Sequence, residues 1–362
     1  MENKDRSSWK GSTTDPRKSG ASVVTRRTFL KAGLAGLLIG STRGLRTTWA
    51  TPGSLSSDTR VTIVDHPLAV DDNWHINASA VQEMVERAIL EWSETTSPQD
   101  AWAKILPGLQ DTHTIAIKVN CLNRHFPTHP PVVHAIVDSM RRSGIADHQI
   151  LIWDRRNREL EQAGFRLNRN SGVQCFGTDE DGVGYDEEER AVVEGHRIKL
   201  SRILTSMCDH LINVPVLKDH NTSGVSLSLK NHYGSIPLLD DLPWSALAIP
   251  RMHAHHADPQ IAHLNAAPPI RDKTRLIVCD ALLGIYNGGP SGAPQWANRQ
   301  ILVGDDPVAV DHHGMQIIEE KRAEQKLDPI TRKAGHIHTA AEMGLGTDDP
   351  QHMTRILTRI HG

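Results

Sequence analysis

Three short runs decide the fold class: His113-Thr-Ile-Ala-Ile-Lys-Val119, Pro130-Pro-Val-Val-His-Ala-Ile-Val-Asp-Ser-Met140 and Gln149-Ile-Leu-Ile-Trp153. The first and last are apolar runs of strand length. The middle one repeats Val132, Val133, Ile136, Val137 and Met140 at the spacing of one helix face. Pro130 suits a first helical turn and Gly144 a stop just beyond the last. Strand, helix and strand in this order make a βαβ unit, with parallel strands and a right-handed crossover.

Outward from this unit, Arg60–Val64 reads as a first strand, and Asn77 is a fitting N-cap for a helix reaching Trp92. The runs His210–Pro215, Arg275–Cys279 and Gln300–Val303 have the unbroken apolar character of strands buried on both faces of a parallel sheet. Asp306-Pro307 opens a helix from Val308 to about Glu324, the segment Ala340–Ile360 reads as helical, and the acidic stretch over 178–194 reads as a surface excursion. The expected architecture is one α/β domain over residues 58–362. It holds a mostly parallel sheet flanked by helices, with an irregular His-rich insertion over about 232–272.

The 362 residues carry a net charge of −3, which conceals an uneven split. Residues 1–50 hold ten basic and three acidic side chains, and the remainder 30 basic and 40 acidic. Thr25-Arg26-Arg27-Thr28-Phe29-Leu30-Lys31, the apolar run Ala32–Gly40 and the small residues before and at Ala50 have the layout of a cleavable twin-arginine export signal. Its apolar run is about half the roughly 20 residues that a membrane-spanning helix needs. The expected partners are therefore the twin-arginine translocase during export and a small-molecule ligand afterwards, with no permanent membrane span and a periplasmic or extracellular location. An acidic body without a basic, aromatic-studded stripe argues against nucleic acid. Cys121, Cys175, Cys208 and Cys279 are spaced too widely for a cluster or zinc motif, though a disulfide is permitted in an oxidising compartment.

Ligands of open α/β sheets bind beyond the carboxyl ends of strands. The residues at and just after the expected strand ends are polar: Lys118, Asn120 and Cys121; Asp154, Arg155 and Arg156; Lys218, Asp219 and His220; Asp280; Asp305 and Asp306. The segment Asn213–Gly234 adds Lys230, Asn231 and His232 among small residues that let backbone approach a ligand. Lysines in such a place bind a carboxylate or phosphate, or act as nucleophiles where burial depresses their pKa. Candidate catalytic residues are Lys118, Lys218, His220, Lys230 and His232, and candidate substrate-binding residues are Asn120, Asn231 and Arg155. The sequence holds 21 histidines. The run His253-Ala-His255-His256 has the alternate spacing of metal sites. His253, His255 and His256, or Asp154, Asp280 and Asp306, are therefore candidate ligands for a divalent cation.

These same residues resemble the domain-of-unknown-function family 362. The matching pieces are Ile117-Lys118-Val119-Asn120 with Pro130-Pro131-Val-Val, Asn213 through His220, Leu229-Lys230-Asn231-His232-Tyr233-Gly234, Asp280–Gly284, Gly288-Gly289-Pro290, and Asp305-Asp306-Pro-Val-Ala-Val-Asp311. Many members of that family carry ferredoxin-like cysteine clusters. This chain lacks those cysteines, so no iron–sulfur cluster is expected. A looser similarity to nickel-pincer lactate racemases implies a sugar acid or hydroxy acid as ligand. Two readings result: a metal-assisted enzyme acting on a small anionic or polyol substrate, or a non-catalytic periplasmic protein that binds a small anion.

Overall fold

The computed structural model describes residues 59–188, 190–237 and 252–361. The expected export-signal segment lies outside the described residues, as does part of the expected insertion. In chain order the elements are β1 (Thr59–Asp65), α1 (Ala78–Ser93), α2 (Pro98–Ile105), β2 (Ile115–Lys118), α3 (Pro130–Arg142), β3 (Ile150–Trp153), α4 (Asn157–Gln162) and β4 (Gln174–Cys175). Next come β5 (Ala191–Val193), β6 (His196–Ile198), β7 (His210–Asn213), β8 (Val216–His220), β9 (Gly224–Ser226), α5 (Ser228–Asn231), α6 (Gln260–Asn265) and α7 (Pro268–Arg271). The chain closes with β10 (Thr274–Ile285), β11 (Trp296–Gly304), α8 (Pro307–Glu324), α9 (Gly335–Glu342) and β12 (Met353–Arg359).

The main sheet runs β12-β1-β11-β10-β7-β2-β3-β4, with β8 and β9 continuing beside β10. Parallel pairs predominate, as expected for the βαβ unit, in which β2 lies between β3 and β7. One strand departs from the expected direction: β11 is antiparallel to both β10 and β1. Its apolar run Ile301-Leu302-Val303 is buried on both faces. Burial sets that composition whichever way the strand points. Strand side chains alternate between two cores: Ile115 and Ile117 join α1, α2 and α3 on one face, while Ala116, Leu211 and Cys279 join α6, α8 and α9 on the other.

The C-terminal segment corrects a second expectation. It is not a helix over 340–360. The helix α9 stops at Glu342, Gly344 and Gly346 take positive φ, Pro350 comes next, and Met353–Arg359 pairs parallel to β1 along its whole length. Met353, Ile356 and Leu357 have helical spacing, but the free edge of β1 supplies hydrogen bonds that the isolated sequence does not display. The acidic stretch is likewise not a plain loop, since β5 pairs with β6 at its end. All four cysteines are buried and free, so the permitted disulfide is not formed. Among the described residues no helix is long and apolar enough to cross a membrane.

What positions the site is a break in one strand line. Pro215 separates β7 from β8, and β10, 12 residues long, pairs first with β7 and then with β8. Strand β2 ends opposite β7, at Lys118 against Asn213. The end of β2 and the β8–β9 hairpin therefore border an opening beyond the carboxyl ends of β2 and β3.

Candidate functional site

Lys118, the last residue of β2, is buried beside Asp154, which comes directly after β3. Its Nζ donates to Asp154 Oδ1 at 2.6 Å and to the Val119 carbonyl at 2.7 Å. The carboxylate also accepts from the Cys121 amide at 2.6 Å and the Arg155 amide at 2.8 Å. Gly234 lies against this pair: an added Cβ would stand 2.8 Å from Lys118 Nζ and 2.9 Å from Asp154 Oδ1. Gly234→Ala is therefore expected to push the pair apart and weaken any ligand of the cavity at least tenfold, read by titration calorimetry; unchanged binding would show that the backbone there yields freely.

A hydrogen-bond chain runs from β8 to α5. Lys218 Nζ donates to Asn120 Oδ1 at 2.8 Å, Asn120 Nδ2 to Asn231 Oδ1 at 2.9 Å, Asn231 Nδ2 to Asn213 Oδ1 at 2.7 Å, and Asn213 Nδ2 to the Ser228 carbonyl at 2.9 Å. Each amide serves once as acceptor and once as donor, which fixes all three orientations. The short helix α5 is anchored by Asp311 of α8, whose carboxylate accepts from the Ser228 amide at 2.7 Å, the Ser228 hydroxyl at 2.5 Å and the Leu229 amide at 3.0 Å.

Lys230 projects from α5 with its Nζ 3.1 Å from His253 Nε2 and 3.8 Å from the centre of the Tyr233 ring. The Tyr233 hydroxyl is occupied, donating to the Met252 carbonyl. Burial and the neighbouring Lys218 lower the Lys230 pKa to about 7. Burial also lowers Lys218, to about 8, against the opposing pull of Asp154. His220 Nδ1 accepts from the Thr222 amide at 3.0 Å and the Ser223 amide at 3.2 Å. The ring proton is thus on Nε2. Burial, then Lys230, His253 and Lys218, push its pKa down to about 2, so the ring is a neutral donor and not the proton carrier expected from the sequence.

Lys118, Asn120, Asp154, Arg155, Lys218, His220, Lys230, Asn231 and His253 line one cavity of about 170 Å³. Arg155 is buried, pairs with Glu159, and has Nη1 without a hydrogen-bond partner among the described residues. Five expected residues fall elsewhere. His232 is buried outside the lining, 3.2 Å from the Ser235 hydroxyl, because its place in the turn after α5 directs it into the core. Asp280 accepts from the His129 amide and ring, both at 2.8 Å. Asp306 caps α8 through the Val308 and Ala309 amides and also holds the Thr347 amide. His255 and His256 are exposed residues with left-handed backbone, so His255 does not share the direction of His253 as it would on an extended strand. Of the six expected cation ligands only Asp154 and His253 share the cavity, and among the described residues no three His, Cys, Asp or Glu side chains form a metal-holding group.

Sequence reasoning missed two contributors, Asn213 and Asp311, and left a third, the strand-end Asp219, without a role. Asn213 completes the amide chain, Asp311 anchors α5, and Asp219 holds the Gly288 and Gly289 amides at 3.1 and 2.8 Å, which seats Pro290 at the cavity wall. The signal for Asp311 was its place at the end of the Asp-Pro-Val-Ala-x-Asp element. A wider groove of about 930 Å³ beside β4 is lined by Arg141, Arg166 and Arg169, and none of the candidate residues reach it.

A family model described as "Domain of unknown function (DUF362)" matches residues 115–316. No curated protein matches the chain. Among solved structures, a crystal structure of a protein from Thermotoga maritima is similar at 14% identity and a TM-score of 0.34. The match covers 74% of this chain and 59% of the other, so this chain spans about three-fifths of that protein's length.

Proposed function

The chain belongs to the domain-of-unknown-function family 362, and we propose that it is an enzyme whose lysine-lined cavity takes a small organic acid. The observation that carries this reading is that Lys218 and Lys230 face one cavity whose two carboxylates among the described residues, Asp154 and Glu159, are paired with Lys118 and Arg155. Two cations close together and buried are costly unless an anion joins them. The Arg155 Nη1, unpartnered among the described residues, is a third donor for that anion. A volume of about 170 Å³ lies below the range of cavities that take drug-sized ligands, which favours a small acid.

Lys218 is the anchor for the carboxylate. Asn120 takes one of its three ammonium protons and two remain for a ligand. His220 Nε2 donates to an oxygen of the ligand, and Lys230, with a pKa about 7, accepts or returns a proton near neutral pH. The chemistry is assigned to these residues because only Asp154 and His253 of the side chains named for a cation line the cavity. A thermal-unfolding screen tests the reading: lactate or glycolate at about 100 times its Kd should raise the melting temperature by about 5 °C. Lys218→Met should abolish the shift. A flat screen over small carboxylates and phosphate would end the proposal.

The pH dependence has a defined sign. Lys218 faces Asp154, which favours its charge, and Lys118, which opposes it. The anion needs the ammonium form, so affinity for lactate should hold below about pH 8 and fall by about tenfold per unit above it. Affinity that rises with pH would assign the anchoring to another group. The alternative, a binding protein without catalysis, is favoured by the continuous amide chain that holds Lys218 and Asn120 rigid; under it the ligand is recovered unchanged. Export to the periplasm or beyond is part of the same proposal and rests on Arg26-Arg27 and the apolar run after them. Changing both arginines to lysine should leave the protein in the cytoplasmic fraction.

A further inference from the structure

We propose that Lys230 is a covalent catalyst: its amine condenses with the carbonyl carbon of a small 2-oxo acid whose carboxylate is held by Lys218, forming a Schiff base inside the cavity. This rests on the anion-binding reading and names the substrate class that reading leaves open.

The three lysines are differently placed for the role. Lys118 has two of its donors committed, to Asp154 and to the Val119 carbonyl, and sits between that carboxylate and the Trp153 ring, 5.3 Å from its centre. A lysine held in an ion pair this close has no free lone pair. Lys218 is drawn toward Asn120, an acceptor that favours its ammonium form. Among the described residues Lys230 meets a histidine nitrogen and the face of an aromatic ring, and neither is a counter-ion. Its lowered pKa is consistent with an amine that is unprotonated in a substantial fraction of molecules near neutral pH.

The surroundings supply the other needs of the reaction. His220 Nε2–H, fixed by the two amides on Nδ1, polarises the carbonyl oxygen without surrendering its tautomer. His253 Nε2, at 3.1 Å, takes a proton from Lys230 as the amine attacks and hands it on. The C–N bond forms first and gives a carbinolamine. The C–O bond then breaks, and the oxygen leaves as water carrying the two protons that the neutral amine has lost. No oxidant or reductant enters the balance. Seating the carboxylate on Lys218 directs the neighbouring carbonyl toward Lys230, so a 2-oxo acid fits better than a simple ketone.

The test uses the full chain with pyruvate as the probe and sodium borohydride to reduce any imine to a stable secondary amine, with intact mass and peptide mapping as the readout. The expected result is about one adduct per chain, on the peptide containing Lys230. Replacing pyruvate by acetone should slow trapping at least tenfold, and Lys218→Met, which also removes a charge that lowers the Lys230 pKa, should slow trapping of pyruvate at least tenfold more than it slows trapping of acetone. Lys230→Met and Lys230→Arg should both abolish the adduct while keeping the far-ultraviolet circular dichroism of the parent. The mapping on the unaltered chain locates the adduct whether or not the variants fold. If lactate and pyruvate stabilise the protein equally and no adduct forms on Lys230, the covalent proposal is overturned and the anion site stands. Adducts scattered over surface lysines overturn it as well. If neither acid stabilises the protein and nothing is trapped, both fall together.

Discussion

Asp154→Ala is expected to destabilise the protein by about 3–5 kcal/mol, because it leaves the Lys118 ammonium buried without its counter-ion. Both side chains are less than 5% exposed and meet at 2.6 Å. The substitution also leaves the Cys121 and Arg155 amides without their acceptor. Urea unfolding measures the loss, and Asp154→Ala combined with Lys118→Met should recover most of it, since removing both charges is far cheaper than stranding one. A cost below about 1 kcal/mol for the single change would show that Lys118 is not held as an ion pair. A second readout separates position from stability. Asp154 supports the charge on Lys218, so its removal lowers the Lys218 pKa further below 8. Wherever Asp154→Ala remains folded, the pH at which anion affinity begins to fall should therefore move down.

Asp311→Ala is the other large effect, at about 2–4 kcal/mol. It strands three donors at the start of α5, and each unpaired buried group costs about 1–3 kcal/mol. Part is offset, because burial already raises the Asp311 pKa to about 7 and the charge is costly to keep inside. Asp311→Asn sharpens the test. It keeps the volume, but one oxygen becomes an NH2 that cannot accept from the amides or hydroxyl it faces. The helix α5 carries Lys230 and Asn231, so either variant should abolish ligand stabilisation even though Asp311 itself does not line the cavity. A variant with full stabilisation by lactate would show that α5 keeps its place without this anchor.

The two cases show what kind of information reads directly from sequence. Lys118 was identifiable because strand ends in an α/β sheet point toward one edge and the hydrophobic pattern places the end of β2 well, whereas Lys218, which lies within β8, and Lys230, on α5, stood out through the dense run of functional groups over 213–234. Asp306 shares the same position in the pattern yet serves as a helix cap. Nothing local distinguishes a strand-end aspartate that faces a cavity from one that turns back on its own helix. His220 was recognisable as a site residue, but its role was not: two backbone amides on Nδ1, from residues just after it, make it a fixed donor. His253 and His255 have the alternate spacing of metal ligands, but His255 and His256 take left-handed backbone, and alternate side chains share a direction only on an extended chain.

Sequence alone determined the βαβ unit, the parallel character of the sheet's centre and the presence of a lysine-rich group at its carboxyl edge, because hydrophobic periodicity and residue chemistry are local properties. Tertiary structure alone decided that β11 runs backwards, that the C-terminal segment is a strand, that nine of the expected site residues share one small cavity, and that Lys118 is neutralised by Asp154 while Lys218 and Lys230 form no ion pair with a carboxylate among the described residues. Strand direction, edge pairing and the placing of counter-ions depend on residues far apart in the chain, and the partners that each buried lysine meets, rather than residue type, set which one is left as a reactive amine.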